Sequence, residues 1–200
     1  MILYQNQYSS EAKIIKITLL GDSIRLLGYG KKTEELLGDR FEVFQPEENC
    51  RFAKHTARGV WSEWKEQMKG SSIIHWNNGL WDVHEILDGR PFSTYEQYEQ
   101  DMLTVLAGLK KITSNIIFAT TTPVLSGCDF SNLRIAEYNE KIVPVLKANG
   151  VIINDLHSFV YPNVNKYIRT DDKVHLTEEG INACAQKVAE IILKTAQNIK

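Results

Sequence analysis

The 200-residue chain is 43% hydrophobic, enough to bury one substantial core without disulfide or metal staples, and a single domain over residues 1–200 is expected. Lysine and arginine (23) nearly balance aspartate and glutamate (25), which argues against nucleic acid or an anionic membrane as partner and favours a small or weakly charged molecule. Cys50, Cys128 and Cys184 are widely spaced and form no CxxC pair; they read as unpaired thiols of a reducing, cytoplasmic compartment.

The start, MILYQNQYSSEAK, lacks a basic region followed by an apolar stretch of secretory length, and no later run approaches membrane-spanning length. The first strand is expected over 13–20, ending abruptly at Gly21, Asp22 and Ser23. GYGKKTEELLG follows, but Thr33 stands where a dinucleotide fingerprint needs its third glycine. A second strand is predicted at 41–44. A helix over 52–70 follows, with Trp61, Trp64 and Met68 at helical intervals. Strand 72–77 precedes a helix over 93–112 whose stripe is Tyr95, Tyr98, Met102, Leu106 and Leu109. Strand 115–121 leads to a helix over 133–150, where Pro144 predicts a kink or early break and Gly150 a stop. Strand 151–155 is the last. The final helix starts at LTEEG, capped by Thr177 with Glu178 and Glu179 in its first turn.

Short apolar strands alternating with helices imply parallel pairing through crossovers, hence a three-layer α/β/α sandwich with a flavodoxin-like sheet of about five strands. Ligands in such sheets bind beyond the carboxyl ends of the strands, where GDS, NNG and TTP all fall.

Ser23 has two readings. Taken alone it is a helix cap. As a nucleophile it needs a base, an acid to orient the base, and donors for an oxyanion. RTDDKVHLTEEG offers the first two: Asp172 and His175 are three apart in a polar turn, so an aspartate fixing one imidazole nitrogen would leave the other free for the serine proton.

GDS straight after the first strand, with DxxHLT straight before the last helix, resembles the SGNH hydrolases, also called GDSL esterases. The resemblance implies that fold and a serine ester hydrolase: Ser23 as nucleophile and oxyanion donor through its N–H, His175 as general base, and Asp172 orienting it, with Asp171 as a substitute. It implies no metal or organic cofactor, and a small ester substrate, with acyl groups on a carbohydrate leading. The middle blocks diverge. The second has FEVFQPEENCRFA, with no glycine between Arg40 and Arg58, so the donor would be an N–H near Glu48 or Asn49, or the Asn49 amide. The third has IIHWNNGLWD, where aligning Gly79 and Asp82 with GxND puts Trp81 at the asparagine position. Asn77 or Asn78 is then the more economical donor, and strand alternation favours Asn77. The alternatives are a noncatalytic ligand-binding module on the same fold, or an acyltransferase or thioesterase.

His55, His75, His84 and His157 lack metal-ligand spacing. Trp76 and Tyr161 are expected to pack in the interior and Trp81 to line a pocket. Thr122 and Pro123 are expected to border the site.

Overall fold

The computed structural model describes residues 14–199; the opening MILYQNQYSSEAK, read above for a leader, lies outside them. Among the described residues the strands are β1 (Ile15–Leu20), β2 (Phe41–Phe44), β3 (Ile73–Trp76), β4 (Glu85–Leu87), β5 (Arg90–Pro91), β6 (Ile116–Ala119) and β7 (Ile152–Asn154). Five of them build one parallel sheet in the order β2-β1-β3-β6-β7. IIHW of β3 and IIFA of β6 are buried throughout, as expected of central parallel strands covered on both faces. The β4–β5 hairpin is antiparallel and separate; its short polar sequence carries no alternation that foretells it.

The helices are α1 (Gly30–Leu37), α2 (Ala53–Trp61), α3 (Lys65–Met68), α4 (Leu80–Val83), α5 (Tyr95–Leu109), α6 (Asn132–Ala148), α7 (Leu156–Val160), α8 (Val164–Tyr167) and α9 (Glu178–Ala196). α1 and α9 pack together on one face of the sheet, α2 and α5 on the other, giving the α/β/α sandwich. None of the described helices is long and apolar enough to cross a membrane.

Two helices depart from expectation. The helix over 52–70 is two, because the chain breaks after Trp61 and Trp64 folds back so that its N–H donates to the Gly59 carbonyl at 2.8 Å. The Trp64 ring then lies over Gly59, where any Cβ would collide with it. Trp64 and Met68 are buried, while Trp61 is turned out. α6 runs unbroken through Pro144. Pro144 lies on the exposed face, where water can satisfy the carbonyl that loses its helical partner.

The chain winds from β1 outward to β2 and then back across to β3, so the strand order reverses between β1 and β3. Leu20 and Trp76, the last residues of those strands, are paired in register. The turns carrying Ser23 and Asn77 therefore open side by side at the switch point, where open α/β sheets bind ligands.

Candidate active site

Ser23 opens a helical turn just past β1. Asp22 Oδ1 accepts from the Ile24 N–H at 2.9 Å, so Asp22 does the capping that sequence alone would assign to Ser23. No hydrogen bond engages the Ser23 hydroxyl or its N–H among the described residues. The following turn, Arg25–Tyr29, is a wide π-type turn with Gly28 outside helical geometry (φ −119°, ψ −113°). Gly28 has no nucleotide-binding part in this fold. It makes room for Leu176, whose Cδ1 would lie 3.2 Å from a Cβ added there. Leu176 follows His175, so this contact seats the C-terminal loop on the helix that Ser23 begins.

In that loop Asp172 gathers three donors. Oδ1 accepts the N–H groups of Val174 and His175, each at 2.9 Å, and Oδ2 lies 3.0 Å from His175 Nδ1. Burial opposes the Asp172 charge, but these bonds outweigh it and hold its pKa below the ordinary carboxylate value. Lys173 takes φ +64°, which closes the turn, and the His175 carbonyl accepts from the Arg169 N–H at 2.8 Å. Asp171 points elsewhere: Arg169 binds it through Nε at 2.9 Å and through Nη2, and lowers its pKa to about 2. With Nδ1 facing the carboxylate, His175 Nε2 is buried and unpaired among the described residues. It makes no hydrogen bond to Ser23, yet His175 is near enough to the Ser23 turn to favour the Asp22 anion.

The asparagines divide sharply. Asn78 is wholly buried and fully committed: Oδ1 accepts from Trp76 Nε1 at 2.6 Å, and Nδ2 donates to the Arg51 carbonyl at 2.8 Å. Its own carbonyl accepts the Tyr98 and Thr121 hydroxyls. Gly79 is pinned beside it at φ +140°, with the Thr121 hydroxyl where a side chain would go. Asn77 keeps one end spare. Its Oδ1 accepts from the Tyr29 hydroxyl at 2.8 Å, which fixes the amide's orientation and leaves Nδ2 in no hydrogen bond. That amide sits against Gly21 and beside the Asp22 carboxylate, whose pKa burial raises and the Asn77 side chain holds back. Asn49 accepts from the Arg51 N–H at 2.7 Å.

The block-two loop lacks a glycine but not its conformation: Arg51 takes φ +52°, the left-handed region that glycine favours. Arg25 ties this loop to the Ser23 turn. Its guanidinium, 1% exposed, donates to the carbonyls of Pro46 (2.8 Å), Glu48 (2.9 Å) and Gly21 (3.2 Å). The Cys50 N–H also donates to the Gly21 carbonyl at 3.1 Å. Arg25 and Tyr29 escaped sequence reading because their partners lie in distant loops. The available signal was their helical spacing from Asp22, at three and seven residues.

Two buried titratable groups flank these loops. Burial pushes the Asp82 carboxyl up to about 7, although Ser93 Oγ (2.8 Å) and the Ala53 N–H at the start of α2 (3.1 Å) both donate to it. Burial likewise holds His75 down to about 3, hence neutral. Trp81 is 40% exposed on α4. Trp76 is core, stacked edge-on to Phe118, whereas Tyr161, expected inside, is 58% exposed and stacks on His157. Thr122 is buried with its hydroxyl unpaired. The three cysteines are free thiols, and among the described residues no cluster of three His, Cys, Asp or Glu could hold a metal ion.

No protein-family model matches the sequence, and no curated protein matches it. Solved structures do. An acetyl xylan esterase aligns with a TM-score of 0.74 at 20% identity, over 89% of this chain and 100% of its own. A lipolytic protein of the G-D-S-L family from Veillonella parvula aligns at 0.72 and 16% identity, over 90% and 99%. A carbohydrate esterase of family 3 from Talaromyces cellulolyticus aligns at 0.69 and 17%, over 93% and 100%. The fold is therefore that of the GDSL-type lipases and acylhydrolases.

Proposed function

We propose that the protein is a serine ester hydrolase of one domain, removing small acyl groups, acetyl foremost, from a carbohydrate. Ser23 Oγ attacks the ester carbonyl carbon as its proton passes to His175 Nε2, and Asp172 stabilises the imidazolium through Nδ1. The Ser23 N–H and the Asn77 Nδ2 amide receive the oxyanion. The tetrahedral intermediate collapses, and the leaving alkoxide takes the proton from Nε2. Water then attacks the acyl-serine with His175 again as base, which releases the carboxylic acid and restores Ser23. No metal or organic cofactor enters these steps.

The observation that carries this reading is a histidine oriented by a carboxylate at 3.0 Å, with its other nitrogen unpaired, on a loop seated against the serine's own helix. Nucleophile–base bonds of this kind are often long until substrate binds and tighten in the Michaelis complex. The acyl and sugar preference rests on what the neighbouring acetyl xylan and carbohydrate esterases are named for.

A noncatalytic binding module is the second reading, favoured by one observation: in the block-two loop the Arg51 N–H is consumed by Asn49 Oδ1 and is not free to receive an oxyanion. One experiment separates the two. A fluorophosphonate probe should label Ser23, located by mass spectrometry, and Ser23→Ala and His175→Ala should each lower turnover of a short aryl ester about 10⁴-fold or more at unchanged thermal midpoint. An unlabelled Ser23 with wild-type rates in both variants favours the binding module. Turnover accelerated by an added alcohol, with ester exchange, would make the protein an acyltransferase.

A further inference from the structure

Arg51 combines three properties in one residue. Its backbone sits in the left-handed region at φ +52°, a conformation that costs a residue with a side chain energy that glycine would not spend and that tends to persist where function needs it. The surroundings enforce it: Asn49 Oδ1 takes its N–H at 2.7 Å, and the buried Asn78 amide takes its carbonyl at 2.8 Å. Its chain neighbour Cys50 donates to Gly21, two residues before Ser23. Arg51 is thus fixed between the nucleophile turn and the turn that carries Asn77.

Its side chain has the opposite character. It is exposed, and among the described residues the guanidinium has neither a hydrogen bond nor an ion pair. The nearest carboxylates in sequence do not neutralise it: Glu48 faces Trp64 Nε1 (3.0 Å) and His55 (3.7 Å), and Glu47 is exposed in no ion pair. By contrast Arg58, Arg90, Arg134 and Arg169 all lie within reach of a carboxylate. A strained, doubly anchored backbone between the Ser23 and Asn77 turns thus carries an uncommitted planar cation. Guanidinium forks match carboxylate and phosphate oxygens in a bidentate way.

We propose that Arg51 is a specificity-determining residue that selects esters bearing an anionic group, a carboxylate or phosphate, close to the scissile bond. The inference rests on the serine-hydrolase reading and narrows its substrate to acidic molecules. Glycine at position 51 would keep the loop's backbone and remove only the cation, which makes it the decisive variant.

The test measures kcat/KM for matched pairs of esters. One pair carries the charge on the alcohol side, 3-acetoxybenzoate against methyl 3-acetoxybenzoate. The other carries it on the acyl side, monophenyl glutarate against phenyl methyl glutarate. Wild type should prefer the anionic member of one pair, and added salt should erode that preference. Arg51→Gly and Arg51→Gln should each lower the anionic-to-neutral ratio about tenfold, and Arg51→Lys should restore part of it. The pair that responds identifies the half of the substrate that carries the charge. A ratio unmoved by Arg51→Gly in both pairs overturns the proposal while leaving the hydrolase intact. Ser23-independent rates on all four esters overturn the hydrolase reading, and this inference with it.

Discussion

Around Ser23 the groups that hold the turn come from separate loops and are almost wholly buried: Arg25, Tyr29, Cys50 and Asn77 are each under 5% exposed. Around His175 they come from residues 169–177 and stay partly in water, with the Asp172 and His175 side chains 34% and 27% exposed. Ser23 is thus positioned by the core and His175 by a short local hydrogen-bonded turn. A change on the first side should therefore register as lost stability, and one on the second chiefly as lost chemistry.

The largest test of this contrast is Arg25→Met. It strands the Pro46 and Glu48 carbonyls, while the Gly21 carbonyl keeps the Cys50 N–H, so it should cost about 3–5 kcal/mol, read as a lower denaturant midpoint at unchanged slope. A variant as stable as wild type would break the comparison.

Asp82 gives the next largest effect, and its sign is set by burial. Burial lifts the carboxyl to about 7 in the folded protein against 3.8 for an ordinary aspartate, so the folded state holds its proton where the unfolded chain has released it. Stability is therefore greatest below the unfolded pKa and falls as pH rises from about 4 through 7, with roughly 4 kcal/mol as the upper bound. Asp82→Asn should flatten that slope. Urea melts at pH 4, 5.5 and 7.5 check it, and parallel curves for variant and wild type would remove Asp82 as the cause. His75 contributes the reverse trend, since its depressed value takes stability away as pH falls below about 6.5 in both proteins.

The smallest effect lies on the base side. Thr177 Oγ1 accepts from the Gly180 N–H at 3.1 Å as the cap of α9 and also donates to the Lys166 carbonyl at 2.8 Å. Thr177→Ala should cost about 1 kcal/mol, a few degrees in thermal midpoint. A loss as large as that of Arg25→Met would show that the local turn is not independent of the core.

The five sheet strands were legible because buried parallel strands are short Ile, Val and Phe runs, and the α5 stripe because five apolar positions repeat at helical spacing. The break after Trp61 was not, because a large ring folding back onto Gly59 is a tertiary event that leaves the helical period of Trp61, Trp64 and Met68 intact. In the site, Asp172 and His175 were readable as neighbours because they share one turn. The difference between Asn77 and Asn78 was hidden: both precede a glycine, and only the Tyr29 hydroxyl on one and the Arg51 carbonyl on the other tell them apart. Arg51 was not legible because the family pattern marks this loop by a glycine, whereas here the left-handed backbone carries another side chain.

The seating of Leu176 on Gly28 carries a consequence for biosynthesis. The proposed nucleophile is synthesised well before the proposed base, which stands just ahead of α9. Until that helix docks, the nascent chain holds an uncharged, inert alcohol. The proposed chemistry begins only once the two segments have folded together.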